Sequence, residues 1–199
     1  MKKWFWLVLF FVIYACGNPG HKKSSSHDGD KEVGEQKIKL KTSTGKSFWV
    51  VERKKTAGLS DLLIVPKGFE HTRDTFKLKE TDPLKNTFVA DLNHDGFDEV
   101  YLVTISAGSG SYSSIYGFAS NRDKSVTPVY VQEMGALGIG YQGHDSIYVT
   151  GQMLARSFPV YLQDDPNCCP SGGRKTVFYT LKAGEAGWIL EPDSMFVDK

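Results

Sequence analysis

Three short stretches of the chain carry residue types and spacings that could do chemistry. The first runs Asp91-Leu92-Asn93-His94-Asp95-Gly96-Phe97-Asp98-Glu99. Oxygen-bearing side chains at alternate positions, Asp91, Asn93, Asp95 and Glu99, with a glycine for the sharp reversal, are what a calcium loop needs, because the ion takes six to eight oxygens. An EF-hand would also require a bidentate acid at the twelfth position, where Leu102 stands. Two readings therefore stay open: a shorter calcium loop closed by Glu99 and the Phe97 carbonyl, or a tight β-hairpin in which Asn93 and Asp95 cap their own turn and Gly96 supplies positive φ.

The second stretch is Cys168-Cys169, inside DDPNCCPSGG. Adjacent Cα atoms lie about 3.8 Å apart, below the roughly 4.4 to 6.8 Å of relaxed disulfides, so a vicinal bridge between them would be strained. The alternative is a pair of reduced thiols in a turn. With no C-x-x-C partner, and with His71, His94 and His144 scattered, no zinc-ligand spacing is present.

The third is SAGSGSY, residues 106–112, small and glycine residues ending on an aromatic. Glycine-rich backbone between two strands is a liability unless something must approach it closely. The stretch lacks G-x-S-x-G and leads into a strand, so it is neither a nucleophile elbow nor a phosphate-cradling loop. Asp164 and Asp165 are neighbours in a turn and point apart. The expectation is a protein that is not an enzyme and requires no cofactor, calcium being the one candidate; a carboxylate pair assembled from distant positions is the catalytic arrangement that spacing leaves open.

These stretches must be positioned by β structure. Runs at 48–51, 62–65, 87–89, 99–105, 113–118, 129–131, 146–149, 158–162, 176–181 and 188–190 are short, β-branched or aromatic, and punctuated by Gly, Pro, Asn and Asp. No stretch sustains helical periodicity over three turns. An all-β fold follows, an antiparallel β-sandwich or small barrel-like single domain, since strands this numerous need a second sheet or closure to hide faces and edges. No internal repeat argues for a propeller.

The N-terminus sets the compartment. Lys2 and Lys3 precede an apolar run that stops at Ala15-Cys16, too short for a comfortable membrane span and suited to a secretion signal. Ile13-Tyr14-Ala15-Cys16 resembles a bacterial lipobox, so residues 1–16 are expected to be a lipoprotein signal peptide ending at a lipidated Cys16, anchoring the chain to the cell envelope, periplasm-facing or at the outer membrane. Residues 17–36 are Gly, Ser, Lys, His and Asp with almost no apolar side chain, an expected flexible tether, and 37–199 the folded domain. A net charge of +1 offers no field for nucleic acid. A homodimer through a sheet edge is neither required nor forbidden.

The stretch VADLNHDGFDEVYLVTISAGSGSYSSIYGFAS, residues 89–120, preceded by LIVPKGFE, residues 63–70, resembles the family of periplasmic inhibitors of invertebrate-type lysozyme, whose mark is a Ser-Gly-x-Tyr loop, here Ser109-Gly110-Ser111-Tyr112. CCPSGGRKTVFYTL, residues 168–181, fits a late strand pair of that family, and the likeness covers roughly residues 59–181. The acidic turn by itself is similar to calcium loops of the FG-GAP type. The family resemblance implies that the loop enters the lysozyme cleft, with Ser109 and exposed N–H groups meeting the two cleft carboxyls, Tyr112 anchoring at the rim, and Ile105 and Ile115 as ballast beneath. The alternative function is a calcium-binding β-rich lipoprotein acting as an adhesion or envelope-assembly module.

Overall fold

The computed structural model describes residues 34–198. The signal segment, Cys16 with its expected lipid, and residues 17–33 of the expected tether lie outside the described residues. Among the described residues are twelve strands: β1 (Gly34–Lys41), β2 (Ser47–Thr56), β3 (Leu59–Lys67), β4 (Phe76–Thr81), β5 (Leu84–Ala90), β6 (Glu99–Ile105), β7 (Ser113–Asn121), β8 (Ser125–Val131), β9 (Ser146–Thr150), β10 (Met153–Pro159), β11 (Arg174–Ala183) and β12 (Trp188–Asp198), with one 3-10 turn at Gly135–Gly138. Among the described residues no helix is long and apolar enough to cross a membrane.

The strands form two sheets. A four-stranded antiparallel meander runs β1-β2-β3-β4, and an eight-stranded sheet runs β5-β6-β7-β8-β12-β11-β10-β9. The larger sheet curls until its edges β5 and β9 approach one another without pairing, a nearly closed barrel. The fold is thus all-β and combines both expected forms, a barrel with a second sheet laid on its wall. It is not wholly antiparallel: β12 pairs β8 in parallel, Trp188 beside Val129 and Leu190 beside Val131. That pairing joins two hairpin systems distant in sequence, so no local turn signal announces it.

The period-two alternation of β6 explains how the layers share one strand. Tyr101 and Val103 face the barrel interior with Ile115, Ala119, Leu154, Phe158, Val177 and Tyr179. Val100 and Leu102 face the opposite way, onto Phe48, Val50, Leu62 and Ile64 of the smaller sheet. Hence β6 reads as a continuous apolar run, buried on both faces. Each such side chain contributes about 1.5–3 kcal/mol relative to exposure, so β6 is the element whose loss would damage the domain most. Gly117 on β7 lets the wall close tightly: a Cβ there would stand 2.8 Å from Val129 Cβ and 3.0 Å from a Tyr101 ring carbon.

Three elements differ from expectation. Gly34 to Gln36, placed in the tether, begin β1, whose GEQKIKLK pattern alternates lysine with apolar residues and pairs in register with β2. β4 arises where no strand is expected, its FKLKET covering the outer edge of the smaller sheet. The run expected at 158–162 lies mostly beyond its strand, which is β10 at Met153–Pro159.

Candidate functional site

Strand β6 carries one sequence motif at each end. The acidic turn precedes Glu99, and the serine–glycine stretch follows Ile105, so the barrel separates them at opposite rims.

At the loop rim the chain reverses between β6 and β7. Ser106 N–H donates to the Tyr112 carbonyl at 2.9 Å, and Tyr112 N–H donates to Ser106 Oγ at 2.9 Å, closing the neck of the loop from both sides. Ser111, held at φ 46°, donates its N–H to the Gly108 carbonyl at 3.0 Å. The amides of Ser111 and Tyr112 are therefore committed inside the loop. The amides of Ser109 and Gly110 have no hydrogen-bond partner among the described residues. Ser109 is exposed, and Tyr112 keeps 47% of its surface in solvent.

A loop this rich in glycine is held by its neighbours. His144 N–H donates to the Gly110 carbonyl at 2.7 Å. The Tyr112 ring stands edge-on to Tyr141, centroids 5.6 Å apart, and Tyr141 stands edge-on to Phe158 of the barrel core at 4.9 Å. Aromatic pairs in this geometry add about 0.5–1.5 kcal/mol beyond area burial. An added Cβ on Gly110 would meet the Tyr112 ring at 2.3 Å, so the glycine is required for the ring to lie over the loop. Beneath, Ile115 is in the core as expected, and Ile105 is partly covered.

The 139–145 segment that braces the loop is anchored in turn by charges inside the barrel mouth. Arg156 shares the inward face of β10 with Leu154 and Phe158, and its side chain is 11% exposed. Its Nε lies 3.3 Å from Asp145 Oδ2, an ionic contact without hydrogen-bond alignment, and its Nη2 donates to the Ser113 carbonyl at 3.2 Å. Asp145, fully buried, accepts from Ser113 N–H at 3.1 Å and from the Tyr141 hydroxyl at 3.1 Å. Burial and then the Asp145 charge push the Tyr141 hydroxyl above its ordinary value, so it stays a donor. Lys175, also inward-facing, donates to the Ile139 carbonyl at 2.7 Å.

The serine–glycine loop is one lip of a composite surface. Ser109, Gly110 and Tyr112 border a concavity of about 420 Å3 whose other walls include Gln142, His144 and Tyr161. Cys168 lies at its edge, and Cys168 and Cys169 are exposed and not bonded to one another. Contact with Cys168 pushes the Cys169 thiol up from its ordinary value, which lowers its thiolate fraction and its reactivity. Sequence reasoning missed Tyr141, Asp145 and Arg156 altogether and considered His144 only to find that it lacks metal-ligand spacing. The glycines of GIGYQGHD, residues 138–145, were the available signal.

At the other rim, the acidic turn is a capped hairpin connection. Asp91 accepts from Asp95 N–H at 3.2 Å and from Gly96 N–H at 2.9 Å; Asn93 accepts from Asp95 N–H at 3.0 Å; Asp95 accepts from Phe97 N–H at 2.9 Å. His94 at φ 61° and Gly96 at φ 84° supply the left-handed positions. Glu99 is fully buried and accepts from Leu92 N–H at 2.8 Å. Burial, and after it the charges of Asp91, Asp95 and Asp98, push its carboxyl up to about 8.

Set against protein-family models, curated proteins and solved structures, the chain finds no match.

Proposed function

We propose that the protein is an envelope-anchored inhibitor of lysozyme, invertebrate-type first among the classes, and that the Ser109-Gly110-Ser111-Tyr112 loop is what it presents to the enzyme's cleft. The observation that carries this reading is the combination of an accessible Ser109 and a half-exposed Tyr112 with a backbone already fastened at Gly110 and at its neck. A flexible loop would lose affinity to ordering on binding; one fixed by its own scaffold loses little.

A lysozyme cleft holds two carboxyl groups, one of which must act as an acid. The Ser109 hydroxyl and the uncommitted amides of Ser109 and Gly110 offer those carboxyls donors in place of water, and charge-assisted bonds of this kind are the strong ones. Tyr112 supplies a rigid aromatic with a polar tip, the side-chain type that dominates interface energies. In this reading Cys16 carries the lipid that holds the chain at the membrane.

The test is calorimetric titration of the chain against invertebrate-, chicken- and goose-type lysozymes, each with and without EDTA, beside the Ser109→Ala and Tyr112→Ala variants. Tyr112→Ala is expected to weaken binding about 30-fold, corresponding to about 2 kcal/mol, with circular dichroism unchanged. Absence of binding to all three lysozymes at micromolar concentration overturns the proposal.

A further inference from the structure

We propose that the turn joining β5 to β6 is a divalent-cation site, with calcium the ion that fits, formed by Asp91, Asn93, Asp95 and Glu99 and serving to lock the barrel rim opposite the serine–glycine loop. It stands independently of the lysozyme reading.

One carboxylate oxygen from each of Asp91, Asp95 and Glu99 lies within 4.8 Å of the other two. For the two aspartates the turn itself is an explanation, since both cap backbone amides. It does not explain Glu99. That side chain is wholly buried, one oxygen accepts the Leu92 amide, and the other, Oε1, has no partner. A buried unsatisfied carboxyl oxygen is costly, and near two further carboxylates it is more so. Two residues along the same face of β6, the Tyr101 hydroxyl is also buried without a partner.

A cation accounts for what the turn does not. It gives the orphaned glutamate oxygen a ligand and turns mutual repulsion among three acids into shared attraction. The cap bonds need not break, because an ionised carboxylate oxygen accepts more than one contact. Asp98 is not among the acids whose oxygens gather here; its carboxylate accepts the Ser43 amide from the turn between β1 and β2 and so ties the smaller sheet to this rim. Ordering the acidic turn therefore also steadies the junction of the two sheets.

The donor set selects the ion. All four side chains offer oxygen, which excludes the softer metals that favour sulfur or imidazole. Calcium tolerates an irregular cage at about 2.3–2.6 Å, completed by water, whereas magnesium demands a near-ideal octahedron and surrenders its water reluctantly.

The test uses the full chain in detergent, stripped with EDTA, then titrated calorimetrically with CaCl2 and melted in EDTA, CaCl2 or MgCl2. The expected result is one saturable calcium event per chain and a melting midpoint raised by about 5–10 °C at a hundredfold excess over Kd. In Glu99→Gln and in Asp91→Asn both responses are lost. Lysozyme affinity of the folded variants, read at the far rim, stays at the wild-type value whatever the ion does, so failure of one proposal is distinguishable from failure of the other. No heat together with equal midpoints in EDTA and millimolar CaCl2 overturns the site, and needs no variant. A calcium response that persists in the Asp91→Asn, Glu99→Gln double variant overturns its location, and a magnesium response equal to that of calcium overturns the choice of ion.

Discussion

Gly143 passes so close to Gly110 that a Cβ on Gly143 would fall 1.9 Å from the Gly110 carbonyl oxygen, the same oxygen that accepts the His144 amide. Gly143 also sits at φ 87°, a conformation L side chains rarely adopt. Steric approach and backbone twist thus demand glycine for two separate reasons. Gly143→Ala is expected to cost about 1–3 kcal/mol. More of it should fall on the loop than on the barrel: hydrogen exchange at the His144 amide should accelerate before any core amide responds, and lysozyme affinity should fall although no contact residue has changed.

Deeper in the mouth, Asp145 and Arg156 form an ion pair that water scarcely reaches. Such pairs are poor sources of net stability, yet removing one member strands the other. Asp145→Ala leaves Arg156 uncompensated and also deprives the Ser113 amide and the Tyr141 hydroxyl of their acceptor. The expected loss is about 3–5 kcal/mol, read from urea unfolding. Replacing both members by apolar residues of similar volume should recover much of it.

How far the sequence reaches is visible in the same residues. Both ends of β6 are legible because turn chemistry is local: Asn93, Asp95 and Gly96 announce a reversal wherever they fall, and so does a run of serine and glycine. What braces the loop is not, since Asp145 acquires meaning only when β10 brings Arg156 beside it. Arg156 and Ser157 also interrupt the apolar signature of β10, which is why pattern alone places the strand too late, at 158–162. β1 and β4 escape notice because each exposes one face, and their alternating lysines read as tether or loop until β2 and β3 supply partners. The parallel contact of β8 with β12 has no signal at all.

The loop at residues 162–171 should respond to acid through Asp165. Its carboxylate accepts the Ser171 hydroxyl at 2.6 Å, the Ser171 amide at 2.8 Å and the Leu162 amide at 2.7 Å, and these bonds hold it below its ordinary value of 3.8. A depressed carboxyl stabilises the fold above its unfolded value and loses that contribution as pH falls through the folded one. The loop should therefore stay closed at about pH 5 and open only below 3.8. NMR titration should show the Leu162 and Ser171 amides shifting together in that range, and Asp165→Ala, which removes their acceptor, should show them released already at neutral pH.

Tyr141 separates the effect of holding the loop from the effect of touching a partner. Its ring supports Tyr112 and rests on Phe158, while its hydroxyl serves Asp145. Tyr141→Phe keeps the ring and removes one hydrogen bond, so it should cost stability by about 1–2 kcal/mol and leave lysozyme affinity near the wild-type value. Tyr141→Ala removes the platform, and Tyr112, though present, is no longer held at the rim. If pre-positioning is what Tyr112 contributes, Tyr141→Ala should weaken binding nearly as much as Tyr112→Ala, and the double variant should be little worse than either alone. Strict additivity in that cycle, measured at a temperature where circular dichroism shows every variant folded, would mean that Tyr112 acts through direct contact and the aromatic stack serves the barrel alone.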